Sequence, residues 1–359
     1  MARFHKLKVA EIRKETADCV SVVFDVPADL KNEFRYIQGQ YLTLKLNVNG
    51  EELRRSYSLC SSPVTDAEYR VAVKKVKDGR ASTYINDILK TGDVMEVMTP
   101  MGNFHSPMNA AHQKHYVLFA GGSGITPMFS ILKTVLASEP QSTVTLVYAN
   151  RDEASVIFKK QIDDLAAANA SRLKVIHVLE HCGTDVPELY KGILTETKVK
   201  ALIENHVGLN LNNEFFICGP GPMMENVKNV LQTLNIDKNT IHIEYFSAVE
   251  EALKAAEKSG NSDDVIQSKV TVIVDGTETT FDVASNGQVI LDVALDAGLD
   301  VPFACKGAVC CTCRAKVLEG KMIMDQNYAL AEDEVESGYV LTCQAHPATE
   351  KVVVSFDEP

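Results

Sequence analysis

Four cysteines late in the chain constrain its fold more than any other feature. Cys305, Cys310 and Cys313 are spaced C-x4-C-x2-C, and Cys343 follows 30 positions after Cys313. Four thiolates with this spacing hold the two irons of a plant-type [2Fe–2S] cluster. Because one loop supplies three thiolates and a distant segment supplies the fourth, binding of the cluster would also close a long loop of chain.

A structural zinc site is the alternative for these cysteines. Zinc modules favour two close pairs of ligands, whereas this set has one triplet and one lone cysteine. The spacing therefore favours iron and sulfide over zinc. We expect Gly307 and Ala308 to let the backbone approach the bridging sulfides, since a bulkier side chain would collide there. The extra residue Cys311 is expected to point away from the metals as a small buried side chain.

Length and composition limit the possible architectures. A chain of 359 residues is long enough for two or three domains with separate cores. No stretch of 18 residues is apolar throughout, and residues 1–12 have the pattern of a strand rather than of a signal peptide. We therefore expect no contact with a membrane. Nine cysteines, four of them assigned to a cluster, are typical of a reducing compartment, so we expect a cytoplasmic protein.

The charge is unevenly distributed along the sequence. The net charge is −12, and the residues from Ile266 onward carry nine more acidic than basic side chains. This excess, which includes the run Glu332-Asp333-Glu334, is either a solvated surface or a surface that attracts a basic redox partner. No stripe of Lys and Arg is present, which argues against nucleic-acid binding.

Residues 1–108 have the alternating apolar and polar pattern of β-strands. The pattern is clearest at residues 17–26, 41–48 and 69–76. Asn49-Gly50, between two strand-like runs, predicts a tight hairpin. One short helical stretch is predicted at residues 82–89. This unit is therefore predicted to be an antiparallel β-barrel or sandwich.

Residues 109–247 alternate between buried strands and helical stretches, which predicts a parallel sheet with right-handed crossovers. The predicted strands are 116–120, 144–148, 173–179, 215–218 and 240–246, and the predicted helices are 128–136, 155–168 and 222–234. Residues 248–265 are polar and rich in small residues, as in an interdomain linker. Residues 266–359 are predicted to be a small α+β unit, with strands at 269–274, 279–283, 339–343 and 351–355 and a helix at 289–297.

Two segments of the first unit suit a cofactor that has phosphates and a flat ring. Arg55 offers a guanidinium for a pyrophosphate, Tyr57 an aromatic face for stacking, and Ser58 a hydroxyl for a ring nitrogen. The second segment precedes the predicted helix, whose first N–H groups can bind a phosphate, and comprises Gly79, Arg80, Ala81 and Ser82. Taken singly, the first segment is equally compatible with a plain strand and the second with a turn capped by Ser82.

Two strand ends of the second unit have the features of a dinucleotide site at the carboxyl edge of a parallel sheet. The first is a glycine loop between a strand and a helix, with the binding candidates Gly122, Gly124, Ile125 and Thr126. The second comprises Cys218, Gly219, Pro220 and Met223, with Cys218 placed near the reacting carbon of a nicotinamide. A buried structural thiol is the alternative for Cys218.

The choice between NADPH and NADH depends on the tip of another strand. Arg151 follows the predicted strand 144–148 and suits a 2′-phosphate, whereas an acidic residue at the tip would favour NADH. Asp152 comes directly after it. We interpret Arg151 as favouring NADPH.

Together, these motifs resemble those of the ferredoxin–NADP⁺ reductase superfamily fused to a C-terminal plant-type ferredoxin. The resemblance covers essentially the full length and implies a six-stranded FAD-binding barrel, a nucleotide-binding domain and a β-grasp [2Fe–2S] domain. It also implies that Tyr57 stacks on the isoalloxazine, that Ser58 faces its N5, and that the backbone of Val73 and Lys74 touches FAD. Phe246 lies where many relatives place an aromatic ring against the flavin.

Within the family, residues 50–58, 148–151, 244–246 and 305–307 resemble those of the reductases that serve ring-1,2-phenylacetyl-CoA epoxidases. The resemblance implies that a hydride passes from NADPH to FAD, with Ser58 and Cys218 at the reacting centre. Single electrons then pass through the cluster to a protein acceptor, a multisubunit diiron oxygenase. The alternatives are a reductase for a Rieske-type or other diiron oxygenase, and a non-catalytic electron carrier or metal-binding module.

Overall fold

The computed structural model describes residues 3–246 and 265–358. Within these residues the chain forms one six-stranded sheet, two five-stranded sheets and one two-stranded sheet. The predicted linker at 248–265 lies outside the described residues, except for Val265. Every helix in the described ranges is too short or too polar to cross a bilayer.

The first unit is an antiparallel barrel with a short helix, and it is built from β1 (Phe4–Thr16), β2 (Cys19–Asp25), β3 (Tyr41–Val48), β4 (Glu51–Ser58), β5 (Tyr69–Lys74), α1 (Arg80–Asp87) and β6 (Val94–Met98). The strand order is β4-β3-β6-β1-β2-β5. An antiparallel bridge between Leu59 and Val71, just beyond β4, joins the two end strands. The inward-facing side chains, such as Leu44, Val71 and Val97, form the core of the barrel.

The second unit is a parallel sheet with helices on both faces, and it contains β7 (His115–Gly121), α2 (Ile125–Ser138), β8 (Thr143–Asn150), α3 (Lys159–Ala168), β9 (Leu173–Leu179), α4 (Glu196–His206), β10 (Asn213–Cys218), α5 (Gly221–Thr233) and β11 (Ile241–Glu244). The strand order is β11-β10-β7-β8-β9. The order reverses between β7 and β10, which is where ligands bind in sheets of this kind. The loops that follow β7 and β10 therefore lie side by side at the carboxyl edge.

The third unit is a mixed sheet that packs against short helices, and it contains β12 (Gln267–Val274), β13 (Thr277–Ala284), α6 (Ile290–Asp296), β14 (Arg314–Glu319), β15 (Met322–Met324), α7 (Glu332–Glu336), β16 (Tyr339–Leu341), β17 (Ala345–Pro347) and β18 (Lys351–Ser355). Its main sheet has the order β13-β12-β18-β14-β16, and β15 pairs separately with β17. Strands β12 and β18 are parallel neighbours at the centre, and the other pairs are antiparallel. Cys313 and Cys343 are part of its apolar core.

The predicted fold class is confirmed for all three units. The bounds predicted for β3, β9 and β18 match those of the structure. In the predicted hairpin, Asn49 and Gly50 both have positive φ, 57° and 83°, as a two-residue type I′ turn requires.

Several local predictions were wrong. Helix α4 was not predicted, although Val199, Leu202 and Ile203 form its buried face. Helix α3 begins at Lys159 rather than near 155, because Asp152 caps a separate turn and Phe158 has a left-handed φ of 61°. Ser82 is not the cap of α1; that position belongs to Gly79.

Candidate functional site

Glu244 links two predicted site residues that belong to different sheets, Ser58 and Cys218. Ser58 ends β4 of the barrel, and its hydroxyl donates a hydrogen bond of 3.1 Å to Oε2 of Glu244. Glu244 ends β11 and lies in register with Cys218, the last residue of β10. The parallel sheet thus presents Cys218 and Glu244 to the barrel at the edge where nucleotides bind.

The protonation of these groups follows from their burial. Burial raises the pKa of Glu244 to about 8, against the smaller opposing effect of the hydrogen bond from Ser58. The carboxyl therefore keeps its proton in much of the population at neutral pH. Burial, followed by the proximity of Glu244, raises the pKa of Cys218 well above its usual range, so this side chain is a neutral thiol rather than a thiolate.

Glu244 is a site residue that the sequence analysis did not assign. In that analysis, Glu244 was only one of the residues at 244–246 that resemble a subgroup of the family. The available signal was its position, since it is an acidic side chain that follows Ile243 at the end of a strand in the same sheet as Cys218. Its hydrogen bond to Ser58 spans 186 positions, and no local pattern predicts such a contact.

Arg55 and Tyr57, two residues predicted to bind the flavin, project from the same face of β4. Arg55 is exposed, and its guanidinium donates only to the neighbouring Arg54 carbonyl, 2.7 Å away, among the contacts of the described chain. Tyr57 is half-buried, and burial raises its pKa to about 12. An exposed cation beside a half-buried ring fits a cofactor that combines phosphates with an aromatic system.

The predicted phosphate loop is formed by the start of α1. A Cβ added to Gly79 would lie 2.3 Å from Cγ2 of Val76 and 2.6 Å from Oγ of Ser82, so both side chains would have to move for a larger residue. Ala81 and Ser82 are buried, whereas Arg80 is exposed and pairs with Glu51 at 2.7 Å. The N–H groups of the first turn can therefore bind a phosphate, but Arg80 is already partnered.

Val73 and Lys74, whose backbone is predicted to touch the flavin, end β5. The Val73 carbonyl accepts a hydrogen bond of 3.0 Å from the Asn86 side chain, which fixes the strand against α1. The ammonium of Lys74 is 3.8 Å from the point where a Cβ on Gly122 would lie. The Lys74 ammonium therefore lies close to the glycine loop of the parallel sheet.

The two predicted nucleotide loops pack directly against each other. A Cβ on Gly124 would lie 2.0 Å from the carbonyl oxygen of Cys218, and Gly122 has a left-handed φ of 52°. Similarly, a Cβ on Gly219 would lie 2.6 Å from the Met223 side chain. The backbone approach that glycine permits is what a pyrophosphate at a helix N-terminus needs.

Not every residue of these loops offers a group to a ligand. Ile125 is fully buried, and its N–H already bonds to the carbonyls of Gly122 and Ser123. Thr126 is also buried, and its hydroxyl donates to the Ser123 carbonyl at 3.0 Å. These two residues shape the loop. Pro220 does so as well, since its ring occupies the space that a Cβ on Gly121 would need.

Arg151 lies just beyond β8, and its side chain is exposed. Its Nε donates to Oδ2 of Asp152 at 2.9 Å, and Asp152 also accepts from the backbone N–H of Ser155 at 2.9 Å. Asp152 is thus held by local partners. Phe246, the last described residue before the gap, is 45% exposed.

The four cluster cysteines are brought together as two pairs. The sulfur atoms of Cys305 and Cys310 are 3.1 Å apart, and Cys343 lies close enough to Cys313 to raise the pKa of its thiol. Among residues 3–246 and 265–358, no three His, Cys, Asp or Glu side chains surround one point as the ligands of a single metal ion would. Two thiol pairs suit two irons that each take two thiolates, and they do not form a compact four-ligand zinc site.

The cluster loop has an unusual backbone. Lys306 and Ala308 have left-handed φ values of 52° and 60°, which residues with a side chain rarely adopt. The N–H of Gly307 donates to the Cys305 sulfur at 3.3 Å. Cys311 is buried, and its thiol donates to the Ala329 carbonyl at 3.2 Å, away from the pairs, as predicted. This loop fits a [2Fe–2S] cluster.

The acidic run of the third unit contacts the rest of the chain. Glu332 pairs with Lys238 of the parallel sheet unit at 2.6 Å. Glu334 accepts a hydrogen bond of 2.6 Å from the barrel residue Asn103 and also pairs with Arg314. Glu332 and Glu334 therefore have partners within this chain. Neither interpretation of the acidic run, as a solvated surface or as a surface for a redox partner, predicted these contacts.

Models of three protein families match the sequence in succession. An oxidoreductase FAD-binding domain matches residues 6–106, an oxidoreductase NAD-binding domain matches residues 118–229, and a 2Fe-2S iron-sulfur cluster binding domain matches residues 272–348. Each match falls within one of the three units described above.

Proteins of known type align with nearly the whole chain. A subunit of the 1,2-phenylacetyl-CoA epoxidase of Escherichia coli (strain K12) is 41% identical over 357 residues, covering 99% of both chains. The 3-ketosteroid-9-alpha-monooxygenase ferredoxin reductase component of Rhodococcus rhodochrous is 36% identical and covers 98% of this chain and 96% of the relative. The structure of phthalate dioxygenase reductase superposes with a TM-score of 0.58 at 25% identity, covering 98% of each chain.

The fold, the paired cysteines and these matches define an NAD(P)H-dependent flavin and iron–sulfur oxidoreductase that transfers electrons. The chain belongs to the ferredoxin–NADP⁺ reductase superfamily, in the group whose FAD-binding and NAD-binding domains are followed by a plant-type ferredoxin domain. Its cofactors are FAD, NAD(P)H and a [2Fe–2S] cluster.

Proposed function

We propose that this protein passes electrons from NADPH, through FAD and the [2Fe–2S] cluster, to a multisubunit diiron oxygenase of the phenylacetyl-CoA epoxidase type. The observation that carries the proposal is the convergence of Ser58, Cys218 and Glu244 in a chain that also pairs four cysteines. The identity of 41% over 99% of both chains to one component of a phenylacetyl-CoA epoxidase supports this acceptor. The same identity supports a role in phenylacetate catabolism.

The proposed domains are residues 1–108 for FAD, 109–247 for the nucleotide and 266–359 for the cluster, with 248–265 as a linker. The family matches at 6–106, 118–229 and 272–348 fall inside these bounds and support them. None of the nine cysteines, all of which lie in the described residues, is in a disulfide, which supports a reducing cytoplasm as the location.

We propose the binding residues that the sequence predicts. Among them, Ile125, Thr126 and Pro220 act by shaping their loops, and Arg80 acts through its backbone N–H because its side chain pairs with Glu51. FAD is assigned to Arg55, Tyr57, Ser58, Val73, Lys74, Gly79, Arg80, Ala81, Ser82 and Phe246. NADPH is assigned to Gly122, Gly124, Ile125, Thr126, Arg151, Cys218, Gly219, Pro220 and Met223. The irons are assigned to Cys305, Cys310, Cys313 and Cys343.

When bound, FAD accepts an electron pair as hydride and releases single electrons, which the cluster carries one at a time. Arg55 and the start of α1 hold phosphates, and Tyr57 orients the ring system. The packed loops at Gly124 and Cys218 bring the nicotinamide to the carboxyl edge of the sheet. Cys218, as a neutral thiol, contributes shape and a weak S–H donor there rather than a negative charge.

Ser58 and Glu244 can hold a proton next to the reacting centre. Glu244 has a pKa of about 8 and Ser58 lies within hydrogen-bond distance of its Oε2. A carboxyl that is partly protonated at neutral pH is suited to give or take a proton without a large energetic cost. We assign this proton-holding role to the Glu244 carboxyl, with the Ser58 hydroxyl as its relay.

A reductase for a different oxygenase is the second candidate. The identity of 36% to the reductase component of a 3-ketosteroid-9-alpha-monooxygenase favours it. Purified protein should be mixed with NADPH and either the oxygenase components of a phenylacetyl-CoA epoxidase or a Rieske-type oxygenase, and product formation measured. Product formation with the epoxidase alone supports the first candidate, whereas turnover with the Rieske enzyme alone would replace it with the second.

The order of electron flow has its own test. In Cys310→Ser, NADPH-driven reduction of cytochrome c should be lost while ferricyanide reduction survives, because ferricyanide takes electrons from the flavin. Cys311→Ser is the matched control, since that neighbouring thiol bonds only to the Ala329 carbonyl and the Asn103 amide in the described chain. It should retain both activities. Loss of both activities in Cys310→Ser, or of neither, would contradict the order.

A further inference from the structure

Tyr41 of the barrel reaches into the backbone of the cluster loop. Its phenolic oxygen accepts a hydrogen bond of 3.0 Å from the Cys311 N–H and lies 3.2 Å from Oγ1 of Thr312. The residue is 5% exposed and packs with Ala304 and Cys310. A buried polar contact thus joins two units of the fold across 270 positions of sequence.

The backbone of Tyr41 is fixed next to the flavin site. Tyr41 lies directly opposite Ser58 in the antiparallel pair of β3 and β4, so the two side chains project from the same face. On its other side, its N–H donates to the Met101 carbonyl at 2.8 Å and its carbonyl accepts from the Met101 N–H at 3.0 Å. One side chain therefore spans from the strand position beside Ser58 to the loop that carries Cys310.

Gly102 provides the space for the Tyr41 ring. A Cβ at Gly102 would lie 2.9 Å from both Cδ1 and Cε1 of that ring. Gly102 also has a φ of 117°, which residues with side chains rarely adopt. The position of the ring is thus set by the barrel itself and not only by the loop it contacts.

Contacts around Tyr41 complete a continuous interface. Thr43 lies two residues along the same strand, and its Oγ1 is 3.4 Å from Oγ1 of Thr312. Asn103 donates to Glu334, and the guanidinium of Arg54 lies 4.1 Å from the centre of the Phe303 ring. These contacts flank Tyr41, which makes the only hydrogen bond to the Cys311 N–H among the bonds of the described residues.

We propose that Tyr41 is a positioning residue for electron transfer, whose hydroxyl holds the cluster loop against the face of the barrel from which Ser58 projects. The proposal rests on the electron order proposed above. Tyr41 keeps its own proton and electrons in this role. It acts through the geometry of residues 310–312, because electron transfer slows steeply as the distance between two redox centres grows.

The variant Tyr41→Phe keeps the ring and removes only the hydroxyl. After rapid mixing of the full protein with NADPH, the rate of cluster reduction should fall about tenfold, the factor that corresponds to ~1.4 kcal/mol. Ferricyanide reduction and iron content should stay at wild-type values. Tyr36→Phe is the matched control, since Tyr36 donates to Ser61 at 2.9 Å within the barrel, and it should alter none of these quantities.

Hydrogen exchange gives a readout that does not depend on turnover. Amides in a peptide covering 304–313 should exchange faster in Tyr41→Phe than in the wild type or in Tyr36→Phe. Gly102→Ala, which displaces the ring, should reproduce both the faster exchange and the slower cluster reduction. Unchanged cluster reduction in Tyr41→Phe, with or without faster exchange, overturns the proposal, as does an equal loss of ferricyanide reduction. Failure of NADPH to reduce the wild-type cluster would instead contradict the electron order.

Discussion

Glu244 lies beside Cys218 in the neighbouring parallel strand, and its carboxyl extends to Ser58 of the barrel. A single acidic side chain thus connects the flavin unit with the nucleotide unit. The contact depends on both sheets being in place, because Ser58 and Glu244 are 186 positions apart. It follows that the proposed reacting centre forms only when the two units pack together.

The pKa of Glu244 predicts a pH-dependent stability. Its folded-state pKa of about 8 lies above the ordinary value of 4.5, so the folded protein binds this proton more tightly than the unfolded chain. The resulting stabilisation is complete below about pH 4.5 and is lost as the pH rises through about 8. The free energy of unfolding should fall across that interval by at most about 1.4 kcal/mol per pH unit.

Glu244→Gln should remove this slope. The measurement is urea unfolding of the apoprotein at several pH values, followed by circular dichroism. Glu225→Gln, which removes the carboxyl that accepts from Tyr245, should keep the wild-type slope. A slope that persists in Glu244→Gln would assign the pH dependence to another group.

Gly124→Ala should separate the two nucleotide loops. The new Cβ would lie 2.0 Å from the Cys218 carbonyl oxygen, so the backbone must move. We expect a loss of about 1–3 kcal/mol in the free energy of unfolding and slow flavin reduction by NADPH, while dithionite still reduces the flavin. Gly221→Ala, where no atom lies within 4 Å of the added Cβ, should behave like the wild type. Normal NADPH kinetics in Gly124→Ala would show that the loops need no close packing.

Arg151→Ala should weaken the binding of NADPH much more than that of NADH. A charge-assisted hydrogen bond to a 2′-phosphate contributes about 1.5–3 kcal/mol, so the KM for NADPH should rise by at least about tenfold. The KM for NADH should hardly change, because that nucleotide lacks the phosphate. Lys160→Ala removes another exposed cation of the same unit, paired with Asp164 at 2.6 Å, and should affect neither nucleotide. Equal effects of Arg151→Ala on both nucleotides would refute the assignment.

Ala308→Val should prevent the cluster from binding. Ala308 is fully buried and has a φ of 60°, a conformation that a β-branched residue strongly disfavours. Purified Ala308→Val should contain little iron and lack the visible absorption of the cluster, but it should retain FAD and ferricyanide reduction. Ala331→Val, at an exposed residue with a φ of −70°, is the control. A full iron content in Ala308→Val would mean that the loop can hold the cluster with another backbone conformation at residue 308.

Local patterns in the sequence predicted much of this fold. The turn at Asn49-Gly50 and the strand Tyr41–Val48 are determined by neighbouring residues, so the sequence alone identifies them. The four cysteines selected by their spacing lie as two close pairs in the structure, and their role as iron ligands stays a prediction. Contacts between units were not predictable in this way, because the hydrogen bonds of Tyr41 with Cys311 and of Ser58 with Glu244 depend on how whole sheets pack.

The boundaries that the sequence misplaced have local physical causes. Phe158 takes a left-handed conformation, which interrupts a helical pattern that otherwise continues across it. Helix α4 begins at the cap Thr195 and has a mixed polar surface, so its apolar face is narrow. The sequence also did not show that Glu332 and Glu334 find partners in the same chain, since Lys238 and Asn103 lie far away along it.

The central position of β18 in the third sheet has a consequence for biosynthesis. Strand β18 separates β12 from β14, so without residues 351–355 this sheet would be split into two halves. On a ribosome, the cysteine loop would emerge before the strand that completes its scaffold. Delivery of iron and sulfide by the cellular assembly machinery should therefore follow translation of residue 355 rather than accompany the synthesis of the loop.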